Sequence, residues 1–220
     1  HFNKDIAAKQ ISVGIPMGLQ YSITAIGTMM VQSSLNILGS YAVAAFTAGN
    51  KIECIFTQAF VAIGTTISTY NAQNIGAGKL DRVRQGFRAT DVIGCAYAVI
   101  AGFILFFAGK YFSYLFISDN ADVVIPMVDT YLRCVGMFLV PLYVVNCYRN
   151  GFQGMGYGLL PMLSGVAELV GRGIMAIVAS NKKSYTMACM ASPFAWIVAT
   201  VLLIGLYFYV MKDMKKKLCL

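Results

Sequence analysis

Six ionisable residues interrupt otherwise apolar stretches of this chain: Lys51 and Glu53, Asp129 and Arg133, Glu168 and Arg172. Asp129/Arg133 and Glu168/Arg172 are spaced i,i+4 with the acid first, the favourable order for an ion pair along one helix face. Lys51 is the odd member. A lysine loses its proton readily when buried, and beside Glu53 it could exchange a proton with that carboxylate. The six charges cancel, so two chemistries are open. As a self-neutralising set they brace three helices. As a polar lining, one carboxylate holds a proton, an ion or a cationic ligand. Neutral groups lie in the same stretches: Gln20, Gln32, Gln58 and Asn146 offer amides, and Tyr21, Tyr143 and Tyr148 offer ring faces to a cation. Each is equally the kind of residue that bonds one helix to the next.

The elements that must position these groups are six apolar stretches: Ile11–Leu38, Ala42–Tyr70, Val92–Ala108, Val123–Tyr148, Leu159–Ala179 and Met187–Met211. Each reaches the roughly 17–25 residues that an α-helix needs to cross about 30 Å of hydrocarbon. In lipid every backbone N–H and C=O must find its partner within the segment, which makes such runs helices. The chain is 58% hydrophobic and 12% charged, where soluble domains average about 25% charged, and its mean hydropathy is +0.68. The expected fold is an all-α polytopic membrane protein, with residues 1–220 forming one bundle of six transmembrane helices. An ion inside such a bundle costs at least about 2.5–3.5 kcal/mol on insertion scales, so the six charged residues should face protein or a wet cavity. That cavity draws its wall from the first, second, fourth and fifth spans. The third span, and the sixth from Phe194 to Met211, read as lipid-facing or scaffold.

The net charge of +8 does not point to nucleic acid, because the basic residues sit at the ends of spans, where they set topology. Lys4, Lys9, Lys79, Arg82, Arg84, Arg88, Arg149, Lys212 and Lys215–Lys217 fall on one side. The other side has Lys110, Lys182 and Lys183, accompanied by Asp119 and Asp122. Positive charge on the inside then places both termini in the cytoplasm of a cell (plasma or bacterial inner) membrane. The six cysteines are scattered, Cys219 is outside any CaaX position, and the single histidine is His1, so no metal, disulfide framework or cofactor is expected. Neither HExxH, GxSxG nor an aspartate-rich motif occurs on a span, which argues against an enzyme. The opening His-Phe-Asn-Lys-Asp lacks a signal-peptide pattern and an initiating Met, so we expect position 1 to lie inside a longer protein.

Small residues and prolines punctuate the spans. Gly14 and Gly18 form a small-xxx-small pair suited to close helix approach. Pro16 and Pro141 predict kinks. Gly76 and Gly78 suit a helix C-terminus, after which Lys79–Arg84 reads as a short amphipathic turn at the interface. Asn150–Gly158 ends one helix, and the next starts near Pro161.

Two of these junctions carry a family resemblance. Ala72-Gln73-Asn74-Ile75-Gly76-Ala77-Gly78-Lys79-Leu80-Asp81-Arg82 resembles the loop after a second lobe helix in multidrug and toxic compound extrusion (MATE) transporters. Gly154-Met155-Gly156-Tyr157-Gly158-Leu159-Leu160-Pro161 is similar to that family's G-x-G-x-x-x-x-P junction, and Gly14-Ile15-Pro16 resembles the start of a MATE lobe. The resemblance covers essentially the whole chain. It implies a protein of two six-helix lobes related by a pseudo-two-fold axis, of which this chain is one, the C-terminal lobe by its basic start and polybasic end. It further implies export of cationic or amphiphilic compounds by alternating access, driven by proton or sodium entry. The implied partners are the lipid bilayer, a small cationic or amphiphilic substrate and a second six-helix lobe. In some members acidic residues on the first and fourth helices of this lobe help bind the coupling ion. Here Tyr21–Thr24 and Leu139–Tyr143 carry no carboxylate, so the coupling acid could belong to the other lobe. Two other readings stay open. A lipid-linked-sugar flippase of related fold would turn Lys51, Arg133 and Arg172 toward a pyrophosphate, with the paired acids arguing against it, and a non-transporting membrane assembly subunit makes less economical use of the buried charges.

Overall fold

The computed structural model describes residues 4–117 and 120–217, apart from the side chains of Asp5, Ile6 and Lys9. His1, Asp119, Cys219 and the side chain of Lys9, all named above, lie outside the described residues. Among the described residues eight helices follow in order: α1 (Lys4–Leu38), α2 (Ser40–Gly76), α3 (Leu80–Ser113), α4 (Ala121–Gly136), α5 (Leu139–Gly154), α6 (Leu159–Lys182), α7 (Tyr185–Cys189) and α8 (Ala191–Lys217). Four stretches are long and apolar enough to cross a membrane: α2, α3, α6 and the run from Tyr185 to Lys217. The pair α4 and α5, bent by 54° at its break, makes a fifth. α1 has the length but is diluted by Gln20, Tyr21, Gln32, Asn36 and many Ser and Thr, so it falls short on apolarity alone. The protein is an all-α polytopic membrane fold.

The helix boundaries correct the sequence reading in three places. Lys79–Arg84 is not a separate interfacial turn: α3 begins at Leu80 and runs unbroken to Ser113, well beyond the expected Val92–Ala108. The expected sixth span is divided at Met190 into the short α7 and the long α8. Of the two prolines expected to kink their spans, Pro16 stands inside the continuous helix α1, and the fourth span breaks by 54° just upstream of Pro141. Pro141, Pro161 and Pro193 each stand third in their helices, where a missing N–H costs no intrahelical bond. Pro141 cannot donate back to Met137, and the break falls there.

The glycine-rich junctions end helices as their sequence implies. Gly78 (φ +70°) and Gly156 (φ +88°) are left-handed, and the next residue's N–H returns to the helix: Lys79 to the Asn74 carbonyl at 2.8 Å and Tyr157 to that of Phe152 at 3.1 Å. These bonds satisfy carbonyls that a helix end leaves unpaired. The start of α1 lies at the same end of the bundle as the α5–α6 junction, since Gly158 packs on Ser12, Val13 and Pro16. The end of α8 is there too, with Asp213 accepting from the Tyr157 hydroxyl.

α1 packs chiefly on α6, α6 also on α8, α2 on α5, and α3 on α4. The small residues that permit this are on α6 and mid-α1. Gly165 meets Gln20, Gly171 meets the Ala195 backbone, and Gly27 meets Leu169 and Arg172. Gly14 and Gly18 do not act as the expected pair: no heavy atom lies within 4 Å of where their Cβ would be. Phe60, Phe87, Tyr131, Tyr143 and Phe152 form the fully buried centre. α3 turns Val92, Ile93, Ile100, Phe103 and Phe107 outward, the apolar face expected of a helix against lipid.

Candidate functional site

α2 carries Asn50, Glu53 and Thr57 at i, i+3 and i+7, one helical face, and that face lines a cavity of about 280 Å³. α1 adds Thr28, α5 Asn146, α6 Arg172, and α8 Ser192 and Trp196. The wall thus comes from the first, second, fourth and fifth spans, with the sixth contributing at its start. Glu53 is 7% exposed and accepts the Tyr131 hydroxyl of α4. Asn50 Nδ2 donates to the same hydroxyl oxygen at 3.4 Å. The Tyr131 ring is seated edge-on to Phe46, centroids 4.8 Å apart, and lies over Gly49, where any Cβ would strike it.

A second polar cluster joins α5 to α6. Glu168 binds two arginines, Arg149 through Oε1 and Arg172 through Oε2, the latter at 2.9 Å. Arg149 Nε also donates to Ser164 Oγ at 3.0 Å, and Ser164 donates to the Pro161 carbonyl at 2.6 Å. Arg172 reaches both clusters: it pairs with Glu168 and lines the cavity with Glu53, while its buried Nη1 has no hydrogen-bond partner.

The structure separates the six charged residues that the sequence placed in one set. Lys51 is exposed and lines a different hollow, beside Phe116, Ile117 and Val124. Residues two apart on a helix do not share a face, so Lys51 is no proton-exchange partner for Glu53. Asp129 and Arg133 do pair, at 2.8 Å, but away from the cavity: the Arg133 side chain is 50% exposed and lies over the Phe106 ring. Tyr131, midway between them, takes the inward face, which turns its i±2 neighbours outward. Glu53, Glu168 and Arg172 are the members that face the interior.

The neutral candidates divide in the same way. Asn146 lines the cavity, although its Nδ2 is given to the Leu142 carbonyl at 3.0 Å. Gln20 is buried and accepts from Gln153 of α5 at 3.2 Å, a tie between helices. Gln32 donates to Asn36 on its own helix, and Gln58 and Tyr21 are exposed. Tyr143 offers no ring face to a cation: it is fully buried against Phe60 and Gly94, with its hydroxyl donating to the Thr90 carbonyl at 2.6 Å. Tyr148 donates to Asp91 at 2.9 Å and packs on Phe87.

Tyr131, Asn50, Arg149 and Trp196 escaped the sequence reading. Asn50 stands one turn before Glu53, a usable signal. Arg149 resembled a topology-setting charge at a span end, yet it lies within α5 with a side chain only 13% exposed. Asp91 fell one residue outside the expected third span. Tyr131 and Trp196 carried no signal, since aromatic residues in an apolar run read as core.

A mixed-polarity cavity inside a bundle of membrane-length helices is the candidate site, and the comparisons give the lineage. Residues 16–178 match the MatE family, and the chain belongs to it. It is 29% identical over 153 residues to the "Probable multidrug resistance protein YpnP" of Bacillus subtilis (strain 168), covering 70% of this chain and 34% of that protein. It is 23% identical over 223 aligned positions to the "Probable multidrug resistance protein YoeA" of the same organism, covering 96% and 46%. Among solved structures, an outward-facing multidrug resistance MATE family transporter superposes with a TM-score of 0.90 at 19% identity, over 98% of this chain and 49% of that one. A transporter of the MOP superfamily from Pyrococcus furiosus Vc1 gives 0.89 at 19%, over the same shares. The chain spans about half the length of these relatives or less.

Proposed function

We propose that this chain is one six-helix lobe of a secondary active exporter, which expels cationic or amphiphilic compounds from the cytoplasm by alternating access. It works with a second six-helix lobe, in the cell membrane with both termini cytoplasmic, and is driven by proton or sodium entry. The observation that carries the reading is Glu53. A carboxylate buried among helices is expensive, and this one is kept by a tyrosine on the wall of an aqueous-sized cavity. Such a group can hold a proton or a cation in one state and release it in another. Membership of a family whose curated relatives are termed multidrug resistance proteins supports the substrate class. Of the three cations that a flippase would need around a pyrophosphate, only Arg172 lines this cavity, which weighs against that alternative.

Glu53→Gln in the intact transporter tests the reading. An amide of equal size cannot titrate, so export of a cationic dye should fall while membrane abundance is kept. Normal export at normal abundance would move the coupling chemistry away from this lobe, and loss of folded protein would make Glu53 a structural brace.

A further inference from the structure

Two groups of opposite charge share one cavity wall. Glu53 accepts from Tyr131 at Oε2. Arg172 gives Nη2 to Glu168, and its Nη1 is buried beneath the wall, beside Gly27. A guanidinium has five donors in a fixed fork, more than the bond to Glu168 uses. The cavity therefore presents one carboxylate and one guanidinium. Around these groups stand neutral hydrogen-bonding side chains, Thr28, Asn50, Thr57 and Ser192, with Trp196 and Phe46 as apolar wall.

We propose that this cavity is a binding site for a small zwitterion, an amino-acid-like molecule with its ammonium on Glu53 and its carboxylate on Arg172. A lone cation would sit beside the Arg172 guanidinium, and a lone anion would face the Glu53 carboxylate. A molecule bearing both charges satisfies both ends and brings no net charge into the bundle. Its size follows from the volume. About 280 Å³ lies at the lower edge of the roughly 300–1,000 Å³ of small-molecule sites and has room for a compact ligand. The site lies within one lobe and does not depend on the export reading.

Trp196, the one tryptophan of this chain, lines the cavity and supplies the readout once tryptophans of the second lobe are replaced. The purified protein in lipid nanodiscs is titrated with glycine, β-alanine and γ-aminobutyrate, which step through increasing charge separation, and with n-butylamine and butyrate, which carry one charge each. At least one zwitterion should change Trp196 fluorescence saturably, with both single-charge analogues weaker by about tenfold or more. Glu53→Gln should weaken the zwitterion similarly. Arg172→Lys, which keeps a charge for Glu168 but has no second nitrogen, should do the same and is less prone to misfold than a neutral replacement. Saturation by butylamine as tight as by any zwitterion makes this a plain cation site and overturns the proposal. Equal saturation by butyrate overturns it as an anion site, and so does the absence of any saturable response. Dye export lost in Glu53→Gln without zwitterion binding in the parent would sink this proposal alone. Binding with unaltered export would leave this proposal standing and move the coupling chemistry away from this lobe.

Discussion

Tyr131 of α4 hangs from Glu53 of α2 by a single hydroxyl, and Asn50, one turn earlier on α2, donates to the same oxygen at 3.4 Å. The phenol is thus donor and acceptor at once, as a buried hydroxyl must be to avoid a desolvation penalty.

Tyr131→Phe removes this bond while keeping the ring that fills the space over Gly49. Leaving Glu53 without its donor should lower stability by about 1–3 kcal/mol, read as a fall in the thermal midpoint of the purified protein. In a Glu53→Gln background the same change should cost less, because contacting residues are not additive. Equal costs in the two backgrounds would mean that the hydroxyl and the carboxylate are not coupled.

Glu168→Gln strands the half-buried Arg149 and the buried Arg172, two cations served by one acid. Removing one partner of a buried pair costs about 3–5 kcal/mol. The variant should therefore give little monodisperse protein on size-exclusion chromatography, and Arg133→Gln, at the exposed pair, should behave like the parent. A well-folded Glu168→Gln protein would refute the bracing role of the cluster.

Gly94 and Gly14 are both helical glycines with opposite surroundings. A Cβ at Gly94 would overlap the Tyr143 ring, and one at Gly14 would meet nothing within 4 Å. Gly94→Ala should destabilise by about 1–3 kcal/mol, and Gly14→Ala should be neutral or stabilise by up to about 1 kcal/mol through helix propensity. Thermal unfolding of the two variants side by side separates them, and matching midpoints would contradict this packing.

The orientation can be read with thiols in a background whose native cysteines are replaced. A cysteine at Asn181, near the end of α6, should react with an impermeant reagent on whole cells, and one at Arg84, near the start of α3, should be protected. The reverse labelling would invert the bundle.

Helix content and membrane class were legible because hydropathy over 17 or more residues is a sum, insensitive to any one side chain. Gly78 was legible because a positive φ is a local demand, whereas nothing in the run from Asn150 to Gly158 singled out Gly156 among its glycines. The charged set was legible only in part. Spacing of i,i+4 identified Asp129/Arg133 and Glu168/Arg172 as pairs, but a pair's spacing is the same whether its face turns inward or outward. The facing of Asp129 and Arg133 was settled by Tyr131, whose bulk between them occupies the core. The partners that complete the site, Arg149 to Glu168 and Tyr131 to Glu53, are 19 and 78 residues apart in sequence. No local pattern encodes contacts of that separation.

The break at Met137 and Phe138 divides the fourth span into two levers that share one joint. The first lever, α4, holds Tyr131 and through it the Glu53 carboxylate. The second, α5, holds Arg149 and through it the Glu168 cluster. The two halves are anchored differently: α4 packs on α3 and α2, and α5 on α2, α8 and α3. Proline at 141 therefore does more than start a helix: it marks the 54° turn by which one span delivers two polar clusters to different neighbours.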